Sequence, residues 1–285
     1  MKDLKVISPA KINLNLKILG RRNDGYHNIQ TLFQILKFGD EMTFSIDSGN
    51  IVTVDAGQEI ENNIVLDAAK LLREKTSSAI GCHIQIKKKI PIGGGMGGGS
   101  SNAATTLLIL NRLWRINLSK TELLEMGRQL GADVPIFILG ESALAEGIGE
   151  KLSPIVTEKQ WFLIVNPHIS VPTHKIFSHP ELTRNSLPSK ISTILDGRSD
   201  NDCTELVTKL YPEILEALDW LKNHGSPKLT GTGGCVFCSF TSSNKANWVL
   251  KGLPKKWSGF VTEGVSLSSV HDTLNNLKIG ASPSG

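Results

Sequence analysis

No run in this chain approaches the roughly 18 apolar residues that a membrane helix requires. The N-terminus, Met1-Lys2-Asp3-Leu4-Lys5, leads into a strand pattern and not into the apolar core of a signal peptide. A soluble, cytoplasmic protein is therefore expected. Cysteine is scarce, and four irregularly placed residues exclude a disulfide framework. Cys235 and Cys238 form a C-x-x-C in an apolar strand-like run, with no second pair and no helix opening beside them. They read as buried structural thiols. The seven histidines show no ligand spacing such as H-x-x-x-H on a helix, so no transition-metal centre is expected and no protein ligand to a metal is legible. Charge of one sign is not concentrated either. The net charge is +4 over 285 residues, dispersed apart from Lys87-Lys88-Lys89, and offers no nucleic-acid surface. There is no tandem repeat or low-complexity tract, and the last residues, Gly280 to Gly285, read as a frayed tail. What remains is chemistry of acids, bases and phosphate, in a chain whose 40% apolar content supports real cores and whose length suits two ordinary domains.

Glycine, by contrast, is concentrated. Pro91-Ile92-Gly93-Gly94-Gly95-Met96-Gly97-Gly98-Gly99-Ser100-Ser101 holds six glycines in seven positions between a strand-like Cys82 to Ile90 and a helix-like Ser101 to Trp114. Glycine lets the backbone take positive φ and turn its N–H groups toward one point, and a following helix adds unpaired donors and a positive dipole end. A polyphosphate is the expected guest. Gly93, Gly95 and Gly98 satisfy the dinucleotide pattern G-x-G-x-x-G, but that pattern also wants an acidic residue about 20 positions on at the end of a second strand. Glu122 and Glu125 sit in a helix-patterned segment instead. A Walker-type loop fails as well, because no Lys stands between Gly99 and Ser100.

Lys11 to Leu19 alternates strictly, with Ile12, Leu14, Leu16 and Ile18 on one face and Lys11, Asn13, Asn15 and Lys17 on the other. This predicts a half-buried strand with a polar face. After the turn Asn23-Asp24-Gly25 a second strand, Asn28 to Phe38, completes a hairpin. A helix is predicted over Asn63 to Glu74. Another starts at the capping box Ser119-Lys120-Thr121-Glu122 and is closed by Gly131. Pro135 favours the first turn of a further helix, which puts Asp133 at or beside its N-terminus. A loose stretch around Gly147 to Glu158 precedes the apolar strand Trp161 to Val165 and marks a domain boundary. Helical stretches around Ser199 to Leu210 and Pro212 to His224 lead to a second glycine-rich turn, Leu229-Thr230-Gly231-Thr232-Gly233-Gly234, which feeds a strand over Gly234 to Phe240.

Four motifs then stand in one order: Pro9-Ala10-Lys11-Ile12-Asn13-Leu14, the loop Pro91 to Ser101 with Asn102-Ala103-Ala104 after it, Gly131-Ala132-Asp133-Val134-Pro135, and Leu229-Thr230-Gly231-Thr232-Gly233. Joined by Gly25-Tyr26-His27 and Val171-Pro172-Thr173 to Phe177, they resemble the GHMP kinases over nearly the whole chain, specifically the 4-diphosphocytidyl-2-C-methyl-D-erythritol kinases of the non-mevalonate isoprenoid pathway. The third motif of that family often reads Ser-Gly-Thr-Gly-Ala, whereas here Thr230 and Gly234 stand at its ends. The resemblance implies an α+β, two-domain fold with its active site in the inter-domain cleft. An N-terminal ATP-binding domain would span residues 1–153 and a C-terminal α/β sandwich domain residues 154–285.

The chemistry so implied is transfer of the ATP γ-phosphoryl group to the 2-hydroxyl, a tertiary alcohol, of the methylerythritol part of a cytidine diphosphate derivative. Phosphoryl transfer is helped chiefly by alignment and charge neutralisation, with a carboxylate accepting the hydroxyl proton. The resemblance makes Asp133 that base and Lys11 its partner. On the residues alone, Asp133 could equally be a capping carboxylate and Lys11 part of a solvated strand face. Asn13 shares the Lys11 face and could bond the same substrate. Tyr26 and Phe177 would sandwich the cytosine, His27 would bond its edge, and Thr173 would contact the substrate from the second domain. Pro91, Gly93, Gly94, Gly95, Gly97, Gly98 and Gly99 would wrap the ATP phosphates, with Ser100 and Ser101 adding hydroxyls, and Asn63 and Lys88 would lie on the adenine side. Mg²⁺ is expected with ATP. Partners are expected to be limited to the small-molecule substrate, with no nucleic acid and no membrane, the chain being a monomer or weak homodimer. A sister kinase acting on homoserine or mevalonate, a nicotinamide oxidoreductase and a non-catalytic nucleotide-binding regulator are the competing readings.

Overall fold

The alternating segment that opens the chain forms two strands where one is predicted. In the computed structural model, which describes residues 3–47, 49–57, 63–75 and 80–277, β1 (Leu4–Asn13) stops where Asn15 intervenes, and β2 (Lys17–Arg21) begins afresh. Asn15 takes the Leu32 N–H on its side-chain oxygen at 2.8 Å, and its carbonyl accepts from the Thr31 hydroxyl at 2.5 Å. The Leu14 N–H still donates to Leu32 O at 2.9 Å, but bonds through the Asn15 and Thr31 side chains take the neighbouring ladder positions and break the strand. Both pieces pair antiparallel with β3 (His27–Asp47), which at 21 residues runs well past the predicted end at Phe38. The turn between β2 and β3 carries Gly25 at φ +86°.

β4 (Val52–Asp55) leads to α1 (Ile64–Arg73), whose N-cap Asn63 accepts from Val65 N at 3.1 Å, and then to β5 (Gly81–Lys87). α2 (Gly98–Leu113) takes in the last glycines of the loop as its first turn, three residues earlier than predicted. α3 (Lys120–Leu130) opens on the Ser119 capping box with both reciprocal bonds formed, and α4 (Val134–Leu139) opens on Asp133 with Pro135 in its first turn. β6 (Ala143–Glu146) and β7 (Lys151–Pro154) complete a sheet of order β4-β5-β3-β6-β7, with β1 and β2 laid against β3.

The second half begins with β8 (Trp161–Asn166). It continues through α5 (Thr173–Ser178), α6 (Ile191–Leu195), α7 (Thr204–Leu210), α8 (Pro212–Lys222), β9 (Lys228–Leu229), β10 (Val236–Phe240), α9 (Ser243–Lys251), β11 (Ser258–Glu263) and α10 (Ser269–Asn276). Its sheet is antiparallel, of order β11-β8-β10-β9. Residues 199–203, predicted as the start of a helix, precede α7 without being helical. The predicted tail Gly280 to Gly285 lies outside the described residues.

Of the apolar clusters among the described residues, the three largest follow from these layers. Helices α1 to α4 cover one face of the first sheet around Phe33, Phe44, Leu107 and Phe137. Helices α7, α8 and α9 cover the second sheet around Leu163, Val165, Val207 and Leu221. Between the sheets, Ala10, Ile12 and Leu36 of the first meet Phe162, Ile164 and Phe237 of the second. β8 is buried on both faces in this way, which is why its sequence is an unbroken apolar run. α10 returns to the first core, where Val270 is buried and the Ser269 hydroxyl donates to Ile7 O at 3.0 Å. A division at residue 154 therefore separates α10 from the layer it covers.

Candidate active site

A β-bulge sets the central lysine. The β1/β3 register slips between Pro9 and Lys11, leaving Ala10 without a partner, and such bulges re-aim the side chains that follow. Lys11 is 3% exposed, so it does not belong to a solvated strand face. Its ammonium donates to Asn13 Oδ1 at 2.7 Å, stands 3.3 Å from Asp133 Oδ2, and lies 5.0 Å from the centre of the Phe33 ring. Asn13 is held in turn, donating to Thr31 Oγ1 at 2.8 Å through its side chain and to Thr230 Oγ1 at 3.1 Å through its backbone. Asp133 sits at the N-cap position of α4, yet its carboxylate caps nothing. It faces Lys11 and keeps 37% of its side chain exposed to the cleft. A carboxylate free of local bonds, beside a buried cation, can take a proton from a substrate hydroxyl.

The glycine loop lies over this group, and the two glycine-rich turns interlock. Gly95 has φ +74°, and a Cβ there would stand 2.3 Å from Thr230 O; Gly97 has φ +73°, and a Cβ there would stand 2.8 Å from the Phe137 ring. Only glycine permits both the left-handed backbone and the approach. Met96, the single side chain among the glycines, is 1% exposed and sunk between the two sheets, while its carbonyl accepts from Lys11 N at 3.1 Å. Cys235 packs beneath Gly94, its thiol pushed up to about 12 by burial. The first N–H groups of α2 have no acceptor within the helix, so Gly98 to Ser100 present donors to the cleft.

A cavity of about 660 Å³ is lined by Lys11, Asn13, Lys88, Pro91, the loop from Gly93 to Ser100, Asp133, Thr173, Phe177 and Thr232. Its size suits a small-molecule ligand. Two residues expected to face ATP do not reach it. Ser101 is fully buried, its hydroxyl bonded to Pro9 O at 2.5 Å and Ser8 Oγ at 2.7 Å and its N–H to Gly97 O at 2.8 Å, because it already belongs to the second turn face of α2 that packs on β1. Asn63 uses its side-chain oxygen as the α1 cap and is not part of the cavity wall, where its neighbour Ile64 stands. Lys88 does line the cavity, but it is tied to the buried Asp40 and to Asn102 Oδ1 at 2.9 Å. Asp40 also accepts from Lys89 N and Ile90 N at 2.7 and 2.9 Å, which pins the chain just before the glycine loop. Nothing in the sequence pattern singled out Asp40, since its partners lie 48 or more residues away.

At the other end of the cleft, α5 carries Thr173 and Phe177 four residues apart, hence on one face. The Thr173 hydroxyl meets Thr232 Oγ1 at 3.0 Å, which places the second glycine-rich turn in the cavity wall. Phe177 packs on His27, with ring centres 5.3 Å apart and planes at 43°. His27 points inward at 7% exposure and Tyr26 outward at 59%, as successive residues of an extended chain alternate, and neither lines the cavity itself. Burial first, then the guanidinium groups of Arg184 and Arg21, hold the His27 imidazole below its ordinary pKa. Arg184 Nε donates to His27 Nε2 at 3.0 Å. The sequence carried no signal for Arg184, which stands 157 positions from its partner.

Among the described residues there is no group of three or more His, Cys, Asp or Glu able to hold a metal ion, and no helix is long and apolar enough to cross a membrane.

Residues 63–141 match the GHMP kinases N terminal domain, and residues 182–259 the GHMP kinases C terminal domain. A 4-diphosphocytidyl-2-C-methyl-D-erythritol kinase of Pseudomonas fluorescens (strain Pf0-1) is 47% identical over 277 residues, covering 96% of this chain and 98% of the relative. The kinase of the same name from Hahella chejuensis (strain KCTC 2396) is 45% identical over 96% of this chain and 97% of its own length. The crystal structure of a 4-(cytidine 5'-diphospho)-2C-methyl-D-erythritol kinase superposes with a TM-score of 0.82 at 29% identity, covering 92% of this chain and 100% of the other. A homoserine kinase from Cytophaga hutchinsonii ATCC 33406, with a TM-score of 0.70, 17% identity and 95% and 96% of the two chains covered, shares the fold. By sequence over nearly its full length, by both domain matches and by fold, the chain belongs to the 4-diphosphocytidyl-2-C-methyl-D-erythritol kinases of the GHMP kinase family.

Proposed function

We propose that this kinase transfers the γ-phosphoryl group of ATP to the 2-hydroxyl of 4-diphosphocytidyl-2-C-methyl-D-erythritol, giving the 2-phosphate and ADP. The observation that carries the reading is the buried Lys11 ammonium, bonded to Asn13 at 2.7 Å and set 3.3 Å from Asp133 under a loop of glycines. Asp133 accepts the proton of the acceptor hydroxyl. Lys11 orients that hydroxyl and offsets the charge that develops on the transferring group, a role that needs a cation fixed before the reaction begins. The N–H groups of the loop and of the first turn of α2 bind the triphosphate of ATP. Pro91, Gly93, Gly94, Gly95, Gly97, Gly98, Gly99 and Ser100 form this cradle, and Lys88 closes its adenine side. Thr173 and Phe177 with His27 and Tyr26 receive the cytidylyl end, and Asn13 the alcohol.

Besides Asn13 Oδ1, which accepts from Lys11, and the mutually bonded Thr173 and Thr232 hydroxyls, the cleft side chains offer as oxygen ligands the Ser100 hydroxyl and the Asp133 carboxylate. This fits a Mg²⁺ that is held mostly by nucleotide phosphates and water, with Ser100 as the nearby protein donor. Bound there, Mg²⁺ would neutralise phosphate charge. The residues 1–153 carry the ATP side and 154–285 the sandwich that completes the cleft, α10 being strapped back onto the first. We place the enzyme in the cytoplasm as a monomer or weak dimer, without nucleic-acid or membrane partners.

Purified protein incubated with Mg-ATP and the cytidylyl alcohol, with homoserine and mevalonate as parallel acceptors, tests the reading by ADP release and product mass. Phosphorylation of the cytidylyl alcohol alone is expected. Transfer only to another alcohol overturns the cytosine assignment and leaves the kinase fold.

A further inference from the structure

Between the catalytic cleft and the surface, one side chain joins the two halves of the pyrimidine end. Arg184 lies in the segment after α5 and is half-buried. Its Nη2 donates to Phe177 O at 2.9 Å and His179 O at 2.7 Å, and its Nη1 to Leu182 O at 3.1 Å and Pro180 O at 3.4 Å. The chain from Phe177 to Arg184 is thus wrapped around a guanidinium, whose five donors in a fixed plane no lysine can reproduce. The remaining donor, Nε–H, goes to His27 Nε2 at 3.0 Å, on the first strand after the hairpin turn.

A guanidinium donates and never accepts. His27 Nε2 must therefore offer its lone pair, and the ring proton of the neutral imidazole must sit on Nδ1. That same ring packs 5.3 Å from Phe177, whose carbonyl Arg184 holds. One residue consequently sets the tautomer of His27, the rotation of its ring and the backbone of the aromatic residue it packs against. Arg21, paired with His27 across β2 and β3, is the other charged group facing the ring, and it too opposes imidazolium.

We propose that Arg184 is a positioning residue for pyrimidine recognition, fixing the His27 ring behind Phe177 with its proton on Nδ1, so that the cytosine end meets a rigid, neutral surface. This rests on the reading above that the cytidylyl group binds beside Tyr26, His27 and Phe177. It deepens that reading by assigning to a residue outside the cavity wall a control over which ring edge is accepted.

The test combines two readouts on Arg184→Met and Arg184→Lys, with Tyr26→Ala as a reference. Long-range ¹H–¹⁵N spectra of the free enzyme, with His27 assigned through His27→Gln, are expected to show the Nδ1–H tautomer in the native protein. Arg184→Met should shift His27 toward the Nε2–H form favoured by free histidine, and Arg184→Lys, still a pure donor, should keep Nδ1–H. In steady-state kinetics Arg184→Met should raise KM for the cytidylyl alcohol by about tenfold, the effect of one lost hydrogen bond. Arg184→Lys should fall between native and Met, with kcat and KM for ATP little changed in both. An unchanged tautomer, or an unchanged KM for the cytidylyl alcohol in Arg184→Met while Tyr26→Ala raises it, overturns the proposal. If neither Arg184→Met nor Tyr26→Ala alters that KM, the pyrimidine site itself is misplaced.

Discussion

A lysine left only 3% exposed is costly unless its donors are used, and at Lys11 they are spent on Asn13, Asp133 and the face of Phe33. The same three contacts fix the ammonium in place before substrate arrives, which makes Lys11 and Asp133 one unit. Lys11→Met and Asp133→Asn are each expected to lower kcat by on the order of 10²–10⁴, with KM for either substrate changed only a few-fold. The double variant should lose little more than the worse single one, because residues that act together are not additive. Rapid-quench measurement of the transfer step on the three variants checks this. A double variant whose loss equals the product of the two single losses would mean that the two residues act independently.

Among elements, α4 has the clearest job. Its six residues hold Asp133 at one end, and at the other His271 of α10 donates from Nε2 to Ile138 O at 3.0 Å while its Nδ1 accepts from the Ser268 hydroxyl at 2.7 Å. Gly140, the C-cap of α4, is where the His271 ring sits, 2.2 Å from the position of a Cβ. Burial chiefly, helped by Lys120, holds the His271 imidazole below its ordinary pKa, against weaker opposing effects of Ile138 O, Glu141 and Asp272. The unfolded chain then binds more protons than the folded one from about pH 6.5 downward to the depressed value, so stability rises with pH through that window and falls as the solution is acidified. His27, shifted the same way, adds to the effect. Thermal midpoints measured from pH 7.5 to 5 should therefore decline, and His271→Gln should flatten part of that slope while lowering the midpoint at pH 7.5. A slope identical in native protein and His271→Gln would remove His271 from this account.

Over the whole molecule, the two sheets share a core, so neither half buries its own apolar surface alone. Phe162, Ile164 and Phe237 of the second sheet close over Ala10, Ile12 and Leu36 of the first, each large side chain contributing about 1.5–3 kcal/mol on burial. Lys17 adds a tie to Asp202 at 2.8 Å, and α10 crosses back to the first core. Unfolding is accordingly expected as one transition, with calorimetric and van't Hoff enthalpies agreeing. A fragment ending at residue 153 should be insoluble or molten when expressed alone. Two resolved transitions, or a well-folded fragment, would contradict this.

Much of this was legible in the chain itself, because the signals were local. Six glycines in seven positions, the Ser119 capping box, Pro135 in a first turn and the alternation around Lys11 each act within a few residues, so they predict α1, α3, α4, the β2/β3 hairpin and the glycine-rich loop at nearly their observed places. What tertiary contact decided was longer in range. The break at Asn15, the burial of Ser101, the capping use of Asn63, the Asp40 pin under Lys88, the bond from Arg184 to His27 and the return of α10 all depend on which distant residue the fold brings near. Whether Lys11 met water or Asp133 was such a question too. Periodicity states that a side chain lies on one face of a strand, but only packing determines whether that face is covered, and here it is covered by a loop and a helix that begin about 80 and 120 residues further along the chain.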